Sequence, residues 1–140
     1  MKILGRQEKL YLPDVSEHPI AAKVDTGATT SALHCTSIQP YVADDGQLMV
    51  RFVALDVSYK AYTGQLLSLP VVQTRTVRSS NGQSEQRYYV ALEVVLGTER
   101  FSTWFSLTKR HTMSFPILIG RSLLSGRYIV DVSKKSMHHS

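Results

Sequence analysis

Ala21-Ala22-Lys23-Val24-Asp25-Thr26-Gly27-Ala28-Thr29-Thr30-Ser31-Ala32-Leu33 is the stretch whose reading decides the fold. An apolar strand runs straight into Asp25-Thr26-Gly27-Ala28 and resumes as a strand of small residues. This arrangement holds one carboxylate at the tip of a tight turn, where Gly27 permits close backbone approach and Thr26 offers a hydroxyl for locking hydrogen bonds. On the tetrapeptide alone, an Asx turn between two strands is the commoner reading.

On either side of this stretch, β-branched and aromatic residues recur in short runs bounded by Gly, Pro, Asn, Asp and Ser, so most of the chain reads as strand. Strands are expected over 2–6, 8–12, 20–24, 31–34, 48–55, 65–72, 74–79, 85–96, 100–107 and 128–132. Asn81-Gly82 marks a hairpin between 74–79 and 85–96, because both residues accept positive φ. Gly97-Thr98 marks a second one. Apolar residues are nearly continuous over 87–96, which suits a strand that leaves one sheet and enters another. One helical turn is expected at 121–125, after Gly120 and closed by Gly126. The expectation is an all-β chain with a bent core.

About ninety residues beyond the Asp25 loop lies Phe115-Pro116-Ile117-Leu118-Ile119-Gly120-Arg121-Ser122-Leu123-Leu124, and the two stretches together resemble retropepsin-like aspartic peptidases. In that family an apolar strand leads to Asp-Thr-Gly-Ala, a flap hairpin follows, and two apolar residues plus Gly open a short helix. The order here matches over 20–132. The chain is more closely similar to the small bacterial retropepsin-like family often labelled ATP-dependent zinc proteases. That likeness rests on Lys23 to Ala28, Thr30 to His34, Val77 to Gly82 and Pro116 to Arg121. The resemblance implies a single-lobe acid-protease fold, a closed β-barrel or sandwich with a flap and one short C-terminal helix. It would fill 1–140 as one domain, with a core over about 2–132 and a flexible tail at 133–140.

The same resemblance implies roles. Asp25 would be the catalytic acid or base, Thr26 would lock two loops together, and Gly27 would accept substrate backbone hydrogen bonds. Ala28 and the hairpin tip Ser80-Asn81-Gly82-Gln83 would bind an extended peptide. Aspartic peptidases need two carboxylates about 3 Å apart sharing one proton. The other candidates, Asp14-Val15-Ser16, Asp44-Asp45-Gly46, Asp56-Val57-Ser58 and Asp131-Val132-Ser133, do not repeat the loop pattern. An active enzyme would therefore take its second Asp25 from another copy, as a homodimer. Two departures from retroviral enzymes stand out: the flap tip is polar, and Thr29 replaces the Asp that usually pairs with the arginine at Arg121. The alternative is an inactive peptide-binding or regulatory module that keeps loop and flap.

The remaining features are consistent with this reading. The 140 residues, 43% hydrophobic and 19% charged, have ordinary globular composition. No apolar run approaches the roughly 18 residues of a membrane span, and charge enters too early for a secretory signal. Cys35, the one cysteine, can form no internal disulfide and supplies no paired zinc ligands. There is no His-Glu-x-x-His and no phosphate-binding Gly-rich loop, so neither metal nor cofactor is expected, whatever the label. Sixteen Lys and Arg against eleven Asp and Glu are scattered, and Lys109-Arg110-His111 is too short for a basic arm, so no nucleic-acid or membrane partner is expected. His34 and Cys35 read as structural, Trp104 and Phe105 as core or groove lining, and His138-His139 as tail. The expected compartment is the cytoplasm, or an exported location if an upstream signal was removed.

Overall fold

The structure, a computed structural model, describes residues 1–78, 80–109 and 114–138. Ser79, Arg110, His111 and His139 lie outside the described residues. Eleven strands and one helical turn follow in order: β1 (Lys2–Leu4), β2 (Gln7–Leu10), β3 (Ile20–Val24), β4 (Ser31–Val42), β5 (Leu48–Ala54), β6 (Leu67–Pro70), β7 (Gln73–Arg78), β8 (Ser84–Leu96), β9 (Glu99–Thr108), β10 (Ile117–Ile119), α1 (Arg121–Leu124) and β11 (Tyr128–Val130). The all-β expectation is met. No helix of the described residues is long and apolar enough to cross a membrane.

The main sheet runs β2-β3-β10-β4-β9-β8-β7, with β5 branching from β4 and β6 pairing β5; β1 and β11 form a separate parallel pair. Of the closed barrel or sandwich anticipated from the resemblance, barrel closure is not seen among the described residues. β2 and β7 end the path, and one isolated bridge, Tyr11 to Val95 with bonds of 2.8 and 2.9 Å, ties the β2 side back to β8. Side-chain alternation along β8 from Val90 to Leu96 sets the core face. Val90, Leu92, Val94 and Leu96 of β8 and Phe105 and Leu107 of β9 are buried together with Leu33, Cys35, Phe52, Ile117 and Ile119. The intervening residues face the opposite side of the sheet.

β10 threads between β3 and β4, parallel to one and antiparallel to the other. That placement brings Gly120 beside the Asp25 loop, and Asp25 N–H donates to Ile119 O at 2.9 Å. The described part of the stretch read as a tail is hydrogen-bonded to the body. Arg6 and Gln7 N–H donate to Lys134 and Lys135 carbonyls at 2.8 and 3.0 Å. The buried Glu8 carboxylate accepts N–H bonds from Gly5, Met137 and His138 and the Ser136 hydroxyl.

Candidate active site

Asp25 leaves the end of β3 and sits half-buried at the tip of its turn. Gly27 N–H donates to Asp25 Oδ1 at 3.0 Å, and Ala28 N–H to Asp25 O at 3.2 Å, so the turn orients the carboxylate from below. Helix α1 has no side-chain N-cap; its first free N–H groups are satisfied by the loop itself. Arg121 N–H donates to Ala28 O at 2.8 Å and Ser122 N–H to Thr29 O at 2.9 Å. Gly120 N–H is taken by the Ser31 hydroxyl at 3.0 Å. The loop and the helix therefore satisfy one another's backbone groups.

Arg121, deprived of its usual acidic partner by Thr29, turns back onto the same loop. Its guanidinium donates to Thr26 O at 3.1 Å, Gly27 O at 3.2 Å and Thr29 Oγ1 at 3.0 Å. A planar five-donor group can hold three acceptors at once, so the ion pair is replaced by a brace within one chain.

A cleft of about 230 Å³ opens over Asp25, lined by Ala28, Thr29, Thr30 and Ala32, by Leu118 of β10, Ser106 of β9, Tyr89 and Arg87 of β8, and Arg75 of β7. Of the residues expected to form the site, Asp25 and Ala28 line it. Gly27 contributes its N–H to the carboxylate. Thr26 points away, into a separate hollow of about 430 Å³ shared with Arg121, Leu124, Ser125, Tyr128 and Val130. Ser80, Asn81, Gly82 and Gln83 form the exposed β7–β8 turn, with Gly82 at φ +84°, and none of them lines the cleft.

The arginines are what the sequence reading missed. Arg75 and Arg87 are directly opposite each other across β7 and β8, an arrangement that repels. Neither forms a salt bridge among the described residues, and Arg87 Nε is buried without a hydrogen-bond partner. Two unneutralised cations facing one cleft make an anion-attracting wall.

All eleven acidic residues of the sequence are among the described ones, and Asp25 alone lines the cleft. Asp56 Oδ1 accepts Ser58 N–H at 2.8 Å and Asp56 Oδ2 meets His34 Nε2 at 2.8 Å. Asp131 Oδ1 accepts Ser133 N–H at 3.0 Å, and Asp45 Oδ1 accepts Gln47 N–H at 2.9 Å. These Asp-x-Ser and Asp-Gly segments are structural turns. Among the described residues no three His, Cys, Asp or Glu side chains cluster as a metal would require.

A family profile described as "RimB-like: Retropepsin-like aspartic endopeptidase RimB" matches residues 3–140. The chain belongs to this family. Curated relatives include probable alpha-L-glutamate ligases of Shewanella pealeana, 33% identical over 94% of this chain and 29% of that protein, and of Parasynechococcus marenigrum, 33% identical over 92% of this chain and 28% of that protein. The RimB-like chain thus spans less than a third of those relatives. A crystal structure of a Legionella pneumophila protein of unknown function matches with a TM-score of 0.77 at 24% identity, covering 96% of both chains, and shows the same fold.

Proposed function

We propose that this chain is an aspartic endopeptidase that cuts extended, glutamate-rich peptides, with Asp25 from two copies forming the acid pair. The observation that carries the reading is a single half-buried carboxylate, oriented by Gly27 N–H, at the floor of a cleft that holds no other acid. A lone aspartate cannot serve as both base and acid, whereas two across a symmetry axis share one proton. The ionised one takes a proton from water as the water oxygen bonds to the scissile carbonyl carbon. The protonated one gives its proton to the carbonyl oxygen. Collapse of the resulting diol breaks the C–N bond, and a proton passes to the leaving nitrogen.

The face for a second copy is supported by Thr26, whose hydroxyl makes no hydrogen bond among the described residues, and by the adjoining hollow at Leu124, Tyr128 and Val130. Ile3 and Ile129, paired across β1 and β11 and on the other face of that strand pair from Tyr128 and Val130, are further exposed apolar residues at 43% and 56% exposure. Glutamate preference is supported by the unneutralised Arg75 and Arg87 and by the glutamate ligase name of the relatives.

The test is cleavage of glutamate-rich peptides between pH 4 and 7.5 by wild type and Asp25→Asn, with sedimentation in the same buffers. Cleavage should vanish in the variant. Premixing wild type with an equal amount of Asp25→Asn, with time for subunit exchange, should leave about one quarter of dimers carrying two aspartates and halve activity per wild-type chain. Full activity from a monomer, or no effect of mixing, would reject the shared pair. A folded chain that binds but never cuts these peptides would instead be the peptide-binding module.

A further inference from the structure

We propose that Trp104 is a substrate-binding platform at the far end of the groove, taking an apolar side chain of the bound peptide about four residues from the cut bond. The inference rests on the peptide-groove reading above.

Strand registers place Trp104 in the same row as the catalytic loop. Val24 is beside Ile119, so Asp25 comes beside Gly120. Leu118 opposes Ala32 in the antiparallel pair, so Gly120 comes opposite Thr30. Ser31 is beside Phe105, so Thr30 comes beside Trp104. Asp25, Gly120, Thr30 and Trp104 thus cross four neighbouring chain paths in one line. At about 4.8 Å per strand, Trp104 lies roughly 14 Å from Asp25, which an extended peptide covers in about four residues.

The face is also the correct one. Ser106 lines the cleft, and Trp104 is two residues before it on β9, hence on the same side of the sheet. Phe105 and Leu107 point into the core instead. Trp104 is 42% exposed, the only exposed large aromatic among the described residues. Its cross-strand neighbour is Ala91 and its parallel neighbour is Thr30, both too small to cover an indole ring. A rigid amphipathic ring left open in line with a cleft is the surface type that anchors partners, at low cost in side-chain entropy.

Trp104 is the single tryptophan of the chain, so intrinsic emission reports on this position alone. The probes are twelve-residue peptides of glutamate and alanine in which one leucine is moved along the sequence, added to Asp25→Asn for binding and to active protein for cleavage. Emission should shift to shorter wavelength, and acrylamide quenching should fall, when the leucine sits about four residues from the cut. For that peptide Trp104→Ala should lose about 30-fold in kcat/KM through KM. Trp104→Phe should keep most of the effect, and the glutamate-alanine peptide without leucine should show no comparable loss in kcat/KM between wild type, Trp104→Phe and Trp104→Ala. Equal cleavage of all leucine positions by wild type and Trp104→Ala would overturn the platform and leave the peptidase reading intact. Emission that responds while nothing is cut would reject the peptidase reading and keep the platform. No response and no cleavage would reject both.

Discussion

A methyl group added to Gly120 would lie 2.6 Å from the carbonyl carbon of Thr30, 2.7 Å from its oxygen and 3.0 Å from Ser31 N. Carbon contacts relax at about 3.5 Å or more, so the β10–β4 crossing would have to open by roughly 0.9 Å. Neither side can rotate away, because both are backbone. Gly120 has φ −98° and ψ 179°, which alanine adopts freely, so the cost is steric rather than conformational. Overpacking of this kind costs about 1–3 kcal/mol, and the stiffer unfolded chain of alanine returns about 0.4–1 kcal/mol. Gly120→Ala should therefore lose about 1–2 kcal/mol, read as a lower urea midpoint at unchanged slope. The opening also separates α1 from the Ala28 and Thr29 carbonyls and shifts Asp25, and displacement approaching 1 Å costs up to about 100-fold in rate. Peptide cleavage should fall by about 10-fold or more. Gly82→Ala is the control: φ is +84° but nothing lies within 4 Å, so it should lose about 1 kcal/mol of local stability and leave Asp25 in place. Unchanged midpoint and rate in Gly120→Ala would refute the packing argument.

Three further outcomes are expected. Burial alone would raise the Glu8 pKa, but the bonds from Gly5, Met137, His138 and Ser136 outweigh it and hold the carboxyl below its ordinary value. A lowered native pKa contributes stability above the unfolded value near 4.5 that disappears as pH falls through the native one. Glu8→Gln should thus lower stability at pH 7 and flatten the acid limb of a denaturation-versus-pH curve; an unaltered limb would contradict this. Arg121→Lys, unable to span three acceptors, should cost less than about 1 kcal/mol at this exposed position yet reduce cleavage about as much as Arg121→Ala; retention of full activity by lysine would reject the brace. Cys35 is fully buried and desolvation pushes its thiol pKa up, so a thiol reagent should label it only at the rate of unfolding, and rapid labelling of native protein would contradict its place in the core.

The carboxylate loop, both hairpins and the short helix were legible because each depends on local chemistry: a turn after an apolar strand, Asn-Gly, Gly-Thr, and Gly before a helical turn. The strand expected over 31–34 runs on in the structure through Pro40, a residue that sheets accept at an edge. It continues to Val42 because that half pairs with β5 alone, on an edge where a missing N–H costs nothing. The arginine wall was hidden by register. A two-residue Asn81-Gly82 loop would pair 80 with 83 and set Arg75 opposite Tyr88. The observed pairing of Arg78 with Ser84 slips by one residue and sets Arg75 opposite Arg87. With a side-chain period of two, one residue decides which side chains share a row.

The sequence by itself determined that the chain is built of strands, that one carboxylate stands at the tip of a glycine turn, and that no second loop like it follows. These are properties of neighbours in the chain, set by alternation and turn chemistry. Only the tertiary structure decided that β10 enters between β3 and β4, that Arg121 closes back on its own loop, that Arg75, Arg87 and Trp104 share the face of Asp25, and that residues 134–138 fasten to β2. Each of these depends on registers between segments distant in sequence. Such registers are fixed by burial of whole faces rather than by any local signal.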